Sequence, residues 1–309
     1  MQFPAQLGSM WRFFKDSSYG FTASLISYFA VVLPRKIALS LGAFLGGVAY
    51  RLASEQRAIA EKHINLSLEL KDGISAKGVV HRCFRNLGKN FIEFVRFPHT
   101  SSGKNREIVT FEGKAHIDRA LAQGKGAIIL TGHFGNWELL AASLVEQVGP
   151  LTPIARRLRS RRLDDLVRSW REAAGYSTID RDSAARDILR CLKRNELIGV
   201  LADVDTSVEG VFVDFFGRPA HTPYSPVAIA LKTRAPVLPT FIIRQPDDSH
   251  RVIVEPPLEL KMTGDRDQDA LVNTQMFTEI IESYVRRYPE QWIWMHERWK
   301  RQPGDVIES

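Results

Sequence analysis

The stretch Thr131-Gly132-His133-Phe134-Gly135-Asn136-Trp137-Glu138 connects an apolar run, residues 127–130, to the start of a helical pattern. Asn136 suits a helix N-cap, and an acidic residue in the first turn, here Glu138, is favoured by the helix dipole. The two glycines allow a sharp bend between the strand and the helix. Open α/β sheets bind their ligands at such strand-to-helix turns. The stretch therefore predicts one unit of a parallel sheet with a functional loop at its edge.

Similar units recur along the rest of the chain. Helical spacing of apolar residues predicts helices over 55–70, 76–97, 137–147, 163–174, 183–194 and 225–233. Short apolar runs predict strands over 127–130, 151–155, 197–202, 211–215, 237–243 and 252–254. This alternation predicts an α/β fold, with a mostly parallel central sheet flanked by helices.

The N-terminal part of the chain contains two uncharged runs, residues 17–34 and 37–50. Neither is a convincing membrane span, because a spanning helix needs about 20 mostly apolar residues and the first run is interrupted by serines and a threonine. Flanking cations and aromatic residues favour a helix that lies in an anionic headgroup layer. A single tilted span and a buried helical hairpin remain alternatives. We expect residues 1–53 to form an apolar helical membrane-anchoring segment and residues 54–309 to form the main domain.

The composition excludes a disordered chain, since 44% of the 309 residues are hydrophobic and 25% are charged. The net charge of +7 predicts an anionic partner. Seven arginines lie between residues 156 and 171. They form either a solvated helix face or an anion-binding site. Mixed aromatic and basic residues also occur in nucleic-acid-binding modules, but such a module would leave the His133 stretch without a use, so we expect no nucleic-acid partner.

His133 is the candidate catalytic residue. The bend at the glycines would let the Glu138 carboxylate reach back to one imidazole nitrogen, leaving the other nitrogen to face a substrate. An imidazole held in this way can act as a general base on a hydroxyl group. The sequence has no Gly-x-Ser-x-Gly elbow, no Walker loop and no His-Glu-x-x-His zinc helix. Direct transfer between two bound substrates is therefore the simpler chemistry, and a purely structural histidine is the alternative.

The segment from His133 to Glu138 resembles the His-x4-Asp/Glu motif of the lysophospholipid acyltransferase superfamily, in the form found in lipid A late acyltransferases. The resemblance continues through Arg156, Leu163-Asp164, Ile179-Asp180-Arg181, Asp203-Val204-Asp205-Thr206, Val213-Asp214-Phe215-Phe216-Gly217 and Ala235-Pro236-Val237. It ends in Pro289-Glu290-Gln291-Trp292-Ile293-Trp294-Met295-His296-Glu297-Arg298-Trp299-Lys300, which is far more specific than the first motif.

The resemblance implies a glycerolipid acyltransferase-like fold and a membrane-bound enzyme at the cytoplasmic face of the inner membrane. Such an enzyme moves a fatty acyl chain from acyl carrier protein to a hydroxyl group of a lipid A precursor. It needs no metal and no cofactor of its own, because the phosphopantetheine of the carrier protein holds the acyl chain. His133 would be the general base and Glu138 its partner. The other positions implied for substrate binding or catalytic support are Arg156, Arg171, Arg181 and Asp203.

Three points stay open at this level. An acyltransferase that acts on another glycerophospholipid or glycolipid, such as a mannosylated phosphatidylinositol, with acyl-CoA as donor would carry the same His133 segment. The acyl tail needs an apolar groove, which residues from 84–97 and 212–216 would line, but ordinary core packing is the favoured alternative for each of these residues. Trp292, Trp294 and Trp299 form either an interfacial aromatic belt or part of the core.

Overall fold

The computed structural model describes residues 30–70, 73–99, 103, 105–158, 160–181, 184–206 and 208–305. The helices, in chain order, are α1 (Arg35–Leu52), α2 (Ser54–Ser67), α3 (Ala76–Val95), α4 (Asn105–Ile108), α5 (Lys114–Leu121), α6 (Trp137–Gln147), α7 (Arg161–Ala173), α8 (Ala184–Lys193), α9 (Ser225–Thr233) and α10 (Arg266–Arg287). Short 3₁₀ turns follow α3 at Phe97–His99 and α10 at Pro289–Gln291.

The strands form one large sheet and one hairpin. They are β1 (Val109–Glu112), β2 (Ala127–Thr131), β3 (Leu151–Ala155), β4 (Ile179–Asp180), β5 (Leu197–Leu201), β6 (Gly210–Asp214), β7 (Pro219–Pro223), β8 (Val237–Arg244) and β9 (His250–Val254). The seven-stranded sheet has the order β1-β9-β8-β2-β5-β3-β4, and β6 pairs with β7 separately. Only the β8–β9 pairing of the large sheet is antiparallel. The predicted α/β fold with a mostly parallel sheet is confirmed.

Strand β2 lies at the centre of this sheet, and all five of its residues are buried. Its side chains alternate between two core clusters: Ile128 and Leu130 belong to one, Ala127 and Ile129 to the other. Helices α8, α9 and α10 cover the first face, and α5, α6 and α7 cover the second. A central parallel strand buried on both faces is apolar throughout. Polar residues can therefore be accommodated only beyond the carboxyl end of β2, where the chain leaves the core.

Most of the predicted elements occur near their predicted positions, and the helices over 137–147 and 225–233 match residue for residue. The sequence interpretation assigned nothing to β1, β4, β7 or the 22-residue helix α10. Strand β7 begins and ends with proline, which removes the usual signal of a strand. It is tolerated because β7 pairs only with β6, in a two-stranded hairpin.

Helix α1 packs closely against α3 through glycines. A Cβ on Gly42 would meet the carbonyl oxygen of Gly88, and one on Gly46 would collide with the carbonyl oxygen of Phe84. The opposite face of α1 is different, since Phe44 is 62% exposed and Leu52 is 79% exposed. Helix α1 therefore combines a packed face with an apolar outer face.

The membrane-anchoring role of residues 1–53 stays a prediction, as does the division at residue 53. Most of the first uncharged run, residues 17–29, lies outside the described residues. Among the residues that are described, no single helix has the length and apolar character needed to cross a membrane. Helices α1 and α2 meet that requirement only when they are taken together, across a 92° bend.

Candidate active site

The loop between β2 and α6 carries His133 and is fixed by its backbone. Gly135 has φ +57°, and a Cβ there would collide with the carbonyl oxygen of Ile242, so glycine is required. The Gly135 amide donates to the carbonyl oxygen of Gln291 at 2.8 Å, and the Ile293 amide donates to that of His133 at 3.3 Å. The loop is therefore held by the segment that follows α10.

Asp203 binds the His133 imidazole. Its Oδ1 lies 2.9 Å from His133 Nδ1, and its Oδ2 accepts hydrogen bonds from the His133 amide and from Trp292 Nε1, both at 2.7 Å. Strands β2 and β5 pair in parallel with Thr131 beside Leu201, so the residues two positions further on, His133 and Asp203, meet at the sheet edge. Asp203 is 2% exposed and is thus a buried partner of the imidazole.

Asp203 is ionised, and this fixes the proton on the imidazole. Burial alone would raise the pKa of the Asp203 carboxyl, but the facing His133 and the donated hydrogen bonds lower it to about 2. A carboxylate can only accept hydrogen bonds, so Nδ1 of His133 must donate. The lone pair is then on Nε2, which has no hydrogen-bond partner among the described residues. The His133 side chain is 25% exposed, so this nitrogen is accessible to a substrate.

Glu138 has different partners from those that the sequence predicted. Asn136 caps α6, as expected, by accepting a hydrogen bond from the Leu139 amide at 3.1 Å. The Glu138 carboxylate accepts two hydrogen bonds from Arg171, at 2.6 and 3.0 Å, and one from the Tyr176 hydroxyl at 2.6 Å. The predicted contact between Glu138 and the imidazole is therefore wrong. The carboxylate is the centre of a separate cluster beside His133.

This cluster is stable as an ion pair. Burial would lower the pKa of the Arg171 guanidinium, but the two hydrogen bonds to Glu138 raise it above its usual value. Burial and the neighbouring Glu138 raise the pKa of the Tyr176 hydroxyl well above its usual value. Arg171 therefore stays charged and Tyr176 stays neutral at neutral pH, and the bidentate pair fixes the start of α6 against α7.

A cavity of about 570 Å³ begins at His133 and extends between α6 and the sheet. Its polar end contains His133, Glu138, Arg171 and Tyr176. Its apolar part is lined by Ile129, Leu140, Leu144, Leu151, Gly199 and Leu201. A mostly apolar cleft with a few polar groups at one end is typical of a site for an amphipathic ligand.

Residues 84–97 and 212–216 do not line this cavity, so the groove interpretation is wrong for it and the core-packing alternative is confirmed for their buried aromatic residues. Phe84 and Phe94 are buried in the two core clusters, and Phe215 is 1% exposed. These aromatic side chains contribute packing, and the cavity wall comes instead from small and aliphatic residues of the sheet and α6.

The structure brings five of the six predicted site residues to this cavity: His133, Glu138, Arg156, Arg171 and Arg181. The sixth, Asp203, lies behind the imidazole and reaches the cavity only through it.

Sequence reasoning missed the roles of Tyr176, Trp292 and His296 in the site. His296 lines the cavity with its ring centroid 5.4 Å from that of His133. Trp292 and Trp294 are at most 1% exposed, so the interfacial-belt interpretation is wrong for both. Trp292 and His296 belong to the specific C-terminal motif, so the sequence did single them out. It did not show that this motif lies beside His133.

A second buried network supports the His133 loop from behind. Asn90 donates to the carbonyl oxygen of Gly135 at 2.6 Å, and Asn136 donates to Glu93 at 2.8 Å. Burial would raise the pKa of Glu93, but its contacts with His250 at 3.1 Å and Arg244 at 2.6 Å hold the pKa well below the usual range. The α6 cap is therefore bound to a charged group in the interior.

The described residues offer no group of three or more His, Cys, Asp or Glu side chains arranged to hold a metal ion. The chemistry open to this site is proton transfer by His133 Nε2, with the buried Asp203 carboxylate stabilising the imidazolium that results.

Residues 11–301 match the family model described as bacterial lipid A biosynthesis acyltransferase. The chain is 28% identical over 231 residues to a phosphatidylinositol mannoside acyltransferase of Mycobacterium tuberculosis, covering 72% of this chain and 70% of that protein. It is 24% identical to the lipid A biosynthesis palmitoleoyltransferase and lauroyltransferase of Escherichia coli, covering 88% and 91% of both chains respectively. The family match spans nearly the whole chain and includes every residue that lines the cavity, and the protein belongs to the bacterial lipid A biosynthesis acyltransferase family.

Proposed function

We propose that this acyltransferase moves a fatty acyl chain from acyl carrier protein to a hydroxyl group of a lipid A precursor. The observation that carries the proposal is the His133–Asp203 pair at the polar end of a largely apolar cavity. The pair supplies a general base, and the cavity supplies a place for an acyl tail. Both requirements of acyl transfer therefore meet within one site.

In the proposed reaction His133 Nε2 takes the proton of the acceptor hydroxyl while the hydroxyl oxygen attacks the thioester carbonyl carbon. The Asp203 carboxylate, 2.9 Å from Nδ1, stabilises the imidazolium. When the tetrahedral intermediate collapses, the carbon–sulfur bond breaks and the imidazolium returns its proton to the leaving thiolate. The products are an ester and a free thiol, and His133 is ready for another cycle.

The Glu138–Arg171–Tyr176 cluster has a positioning role in this proposal. Its hydrogen bonds join α6 to the residues around α7 at the polar end of the cavity. The Arg171 guanidinium is also 6.0 Å from the Phe94 ring, which adds a second fixed contact. The cluster would keep the cavity wall at a constant distance from the His133 ring.

The lipid A acceptor is supported by the family match and by relatives that cover most of the chain. A second candidate, transfer to a phosphatidylinositol mannoside from acyl-CoA, is supported by the higher identity of 28% to relatives with that name. That identity covers a shorter part of the chain, so we give preference to the lipid A acceptor.

The test is mass spectrometry of reactions with detergent-solubilised protein. One set of reactions combines a lipid A precursor with acyl carrier protein loaded with C12, C14 or C16 chains. A parallel set combines phosphatidylinositol mannoside with the corresponding acyl-CoA. A product heavier by one acyl group in the first set supports the proposal, and a product only in the second set replaces it with the alternative.

His133→Ala should lower the rate of whichever reaction occurs by about 10²- to 10⁴-fold, the range for loss of a general base. His116→Ala is the matched control, because His116 lies on α5 and the only hydrogen-bond partner of its side chain among the described residues is the side chain of Arg119. Similar rates for the two variants would overturn the assignment of the base.

The proposed location is the cytoplasmic face of the inner membrane. It is supported by the uncharged N-terminal runs and by the exposed apolar side chains of α1. Since Ala38, Leu39 and Gly42 of α1 are buried against the rest of the protein, removing the whole of residues 1–53 would damage the core. Deletion of residues 1–29 alone should reduce sedimentation of the protein with anionic vesicles. A variant that combines this deletion with Phe44→Ser should sediment even less, and unchanged sedimentation of the combined variant would refute the anchor.

A further inference from the structure

A cavity of about 460 Å³ lies between α3 and the carboxyl end of β8. Its walls come from α3, from β8 and the turn that follows it, and from the segment at the 3₁₀ turn after α10. It shares no lining residue with the cavity at His133. Neither acyl-chain binding nor proton transfer at His133 therefore accounts for this second cavity.

Cationic side chains outnumber carboxylates in its lining. The charged residues are two acids, Asp248 and Glu290, and four bases, Arg82, Arg85, Lys89 and Arg244. Lys89 is neutralised by Asp248 at 2.7 Å. Arg244 is neutralised by the buried Glu93 at 2.6 Å. The guanidinium groups of Arg82 and Arg85 form no ion pair or hydrogen bond with any described residue, and both residues are exposed. Against the single unpaired carboxylate of Glu290, the cavity keeps an excess of positive charge, and we call it the basic cavity.

Three of these cations form one row on α3. Arg82, Arg85 and Lys89 are separated by three and four residues, which places them on one face of the helix. Like charges at this spacing repel each other and oppose helix formation. Among the described residues, only Lys89 of the row has an anionic partner. The row is therefore suited to an anion that comes from outside the protein.

The row lies beside the exposed apolar face of α1. Gly42 lies against Gly88 and Gly46 against Phe84, so the two helices run antiparallel. This register places the row alongside the middle of α1, where Phe44 is 62% exposed. Apolar side chains flanked by cations are typical of a helix at the surface of an anionic bilayer, because the cations then meet the lipid headgroups. The surroundings of the basic cavity therefore favour a lipid as the source of the anion.

We propose that the basic cavity binds the phosphate group of an anionic phospholipid of the bilayer, while the outer face of α1 lies among the acyl chains. This inference rests on the proposed membrane location and adds a specific lipid site to it. Guanidinium groups bind phosphate oxygens through paired hydrogen bonds, and those of Arg82 and Arg85 have their donors free. A zwitterionic lipid is a poorer ligand, since its ammonium group would meet the excess positive charge of the cavity.

Sedimentation of the full-length protein with vesicles tests this site. Vesicles of phosphatidylcholine alone are compared with an equimolar mixture of phosphatidylcholine and phosphatidylglycerol, and the unaltered protein should bind the mixture more tightly. Arg82→Ala combined with Arg85→Ala should weaken binding to the mixture about 25-fold, since each cation near an anionic surface strengthens binding about 5-fold. Binding to phosphatidylcholine alone should not change.

Two further double variants control for net charge and for folding. Lys125→Ala combined with Lys232→Ala removes the same charge from exposed positions that precede β2 and β8, at the opposite edge of the sheet. This variant should weaken binding to the mixture less than about 3-fold, because charges far from the bilayer are screened. Arg82→Lys combined with Arg85→Lys keeps the charge of the row and should keep most of the binding. Melting temperatures show whether each variant is folded.

Competition distinguishes a phosphate site from diffuse attraction to the bilayer. Glycerol 1-phosphate should displace the unaltered protein from the mixed vesicles, whereas glycerol with sodium chloride at the same ionic strength should displace it less. Equal displacement by the two solutions, or equal loss of binding in the two double-alanine variants, would overturn the proposal. Loss of binding to acyl carrier protein in the Arg82 and Arg85 variant, with vesicle binding intact, would also overturn it and assign the row to an acidic protein.

The same experiments separate this proposal from those on which it rests. Equal binding of the unaltered protein to both kinds of vesicle would overturn the lipid site alone, whereas binding to neither would refute the membrane location as well. Acyl transfer in detergent should be unchanged in the Arg82 and Arg85 variant, because the basic cavity shares no lining residue with the catalytic cavity. Absence of acyl transfer in the unaltered protein, with the lipid preference present, would refute only the proposed reaction.

Discussion

Replacing Asp203 by asparagine should reverse the position of the proton on the His133 ring. In the native site Oδ2 of Asp203 accepts from two fixed donors, the His133 amide and Trp292 Nε1, each at 2.7 Å. In the variant only the amide oxygen of the asparagine can accept these two hydrogen bonds, so it must take the position of Oδ2. The amide NH₂ group would then face His133 Nδ1. An NH₂ group can only donate, and Nδ1 would therefore have to accept. The ring proton would move to Nε2, where it blocks the proposed base.

The opposite amide orientation is too costly to restore activity. It would set an NH₂ group against two buried N–H donors, and each unsatisfied buried donor costs about 1–3 kcal/mol. The position is 2% exposed, so water cannot replace the missing acceptor. The inactive orientation should dominate, and kcat should fall about 10³- to 10⁴-fold, as for an Asp-to-Asn change that reverses the tautomer of a catalytic histidine in a triad. KM should change little, since Asp203 does not line the cavity.

Single-turnover rates with saturating donor and acceptor measure this effect, and ¹⁵N chemical shifts of the His133 ring report the tautomer independently. Trp292→Phe is the control: it removes one donor to Oδ2 but keeps the carboxylate, so the loss should stay within about 10-fold, the equivalent of one hydrogen bond. The reasoning is refuted if the Asp203→Asn rate stays within 10-fold of the unaltered protein, or if the ring of the variant keeps its proton on Nδ1.

Three other changes test the remaining parts of the structure. Glu93→Ala should lower the free energy of unfolding by about 3–5 kcal/mol in urea titrations, because it removes the 2.6 Å ion pair of the buried Arg244 guanidinium and leaves it only a longer contact with Asp248 at 3.4 Å; a loss below 1 kcal/mol would contradict this. Gly135→Ala should destabilise the fold by more than about 2 kcal/mol in the same assay, since its positive φ and the clash with a backbone oxygen both oppose a side chain; full stability would show that the loop can move. Gly199→Leu should shift the products toward shorter acyl chains, because its side chain would fill part of the cavity and each excluded methylene loses about 0.8 kcal/mol of burial free energy. Gly199→Ala is the control and should leave the products unchanged, since its Cβ would make only ordinary contacts with Pro153 and Leu151 at 3.4 and 3.5 Å. Finally, a carboxylate whose pKa is lower in the folded state than in the unfolded state stabilises the fold above its unfolded pKa. The stability advantage over Asp203→Asn should therefore be constant above about pH 5 and shrink as the pH falls from about 4 through about 2; an advantage lost near pH 6 would exclude this origin.

The sequence was sufficient to predict the centre of the fold but not its edges. The run at 127–130, the glycine turn and the Asn136 cap are local signals, and each was confirmed. Helix α10 was missed because polar residues such as Asn273 and Thr274 are buried in it, which weakens the apolar spacing that indicates a helix. Its N-cap, Asp265, was a usable signal.

The candidate site shows a similar limit. His133 could be selected from its position after a strand, but its partner could not, because Glu138 is five residues away and Asp203 is seventy. The pairing of Thr131 with Leu201 decides the matter, since it places His133 and Asp203 at equal distances beyond two adjacent strand ends. Strand order is a long-range property, and local spacing carries no information about it. With the order β2-β5 known, the same sequence would have indicated Asp203.

The segment after α10 was interpreted from composition, and its function depends on contacts. Tryptophans beside arginines and lysines are common at membrane surfaces. Here Trp292 is buried because its indole N–H has a specific acceptor, the Asp203 carboxylate. A buried indole needs such a partner, and the sequence could not show which acceptor was available.

The backbone bridge between Phe134 and Trp292 has a consequence for the order in which activity arises during synthesis. Every strand of the large sheet precedes residue 255, so a polypeptide that ends between residues 255 and 290 contains the whole sheet and His133. It lacks the indole that holds Asp203 and the carbonyl oxygen that receives the Gly135 amide. We therefore expect acyl transfer to require a chain that is translated beyond this bridge. We expect nascent chains and proteolytic fragments that end before this segment to be inactive, because the His133 loop and Asp203 lose these contacts.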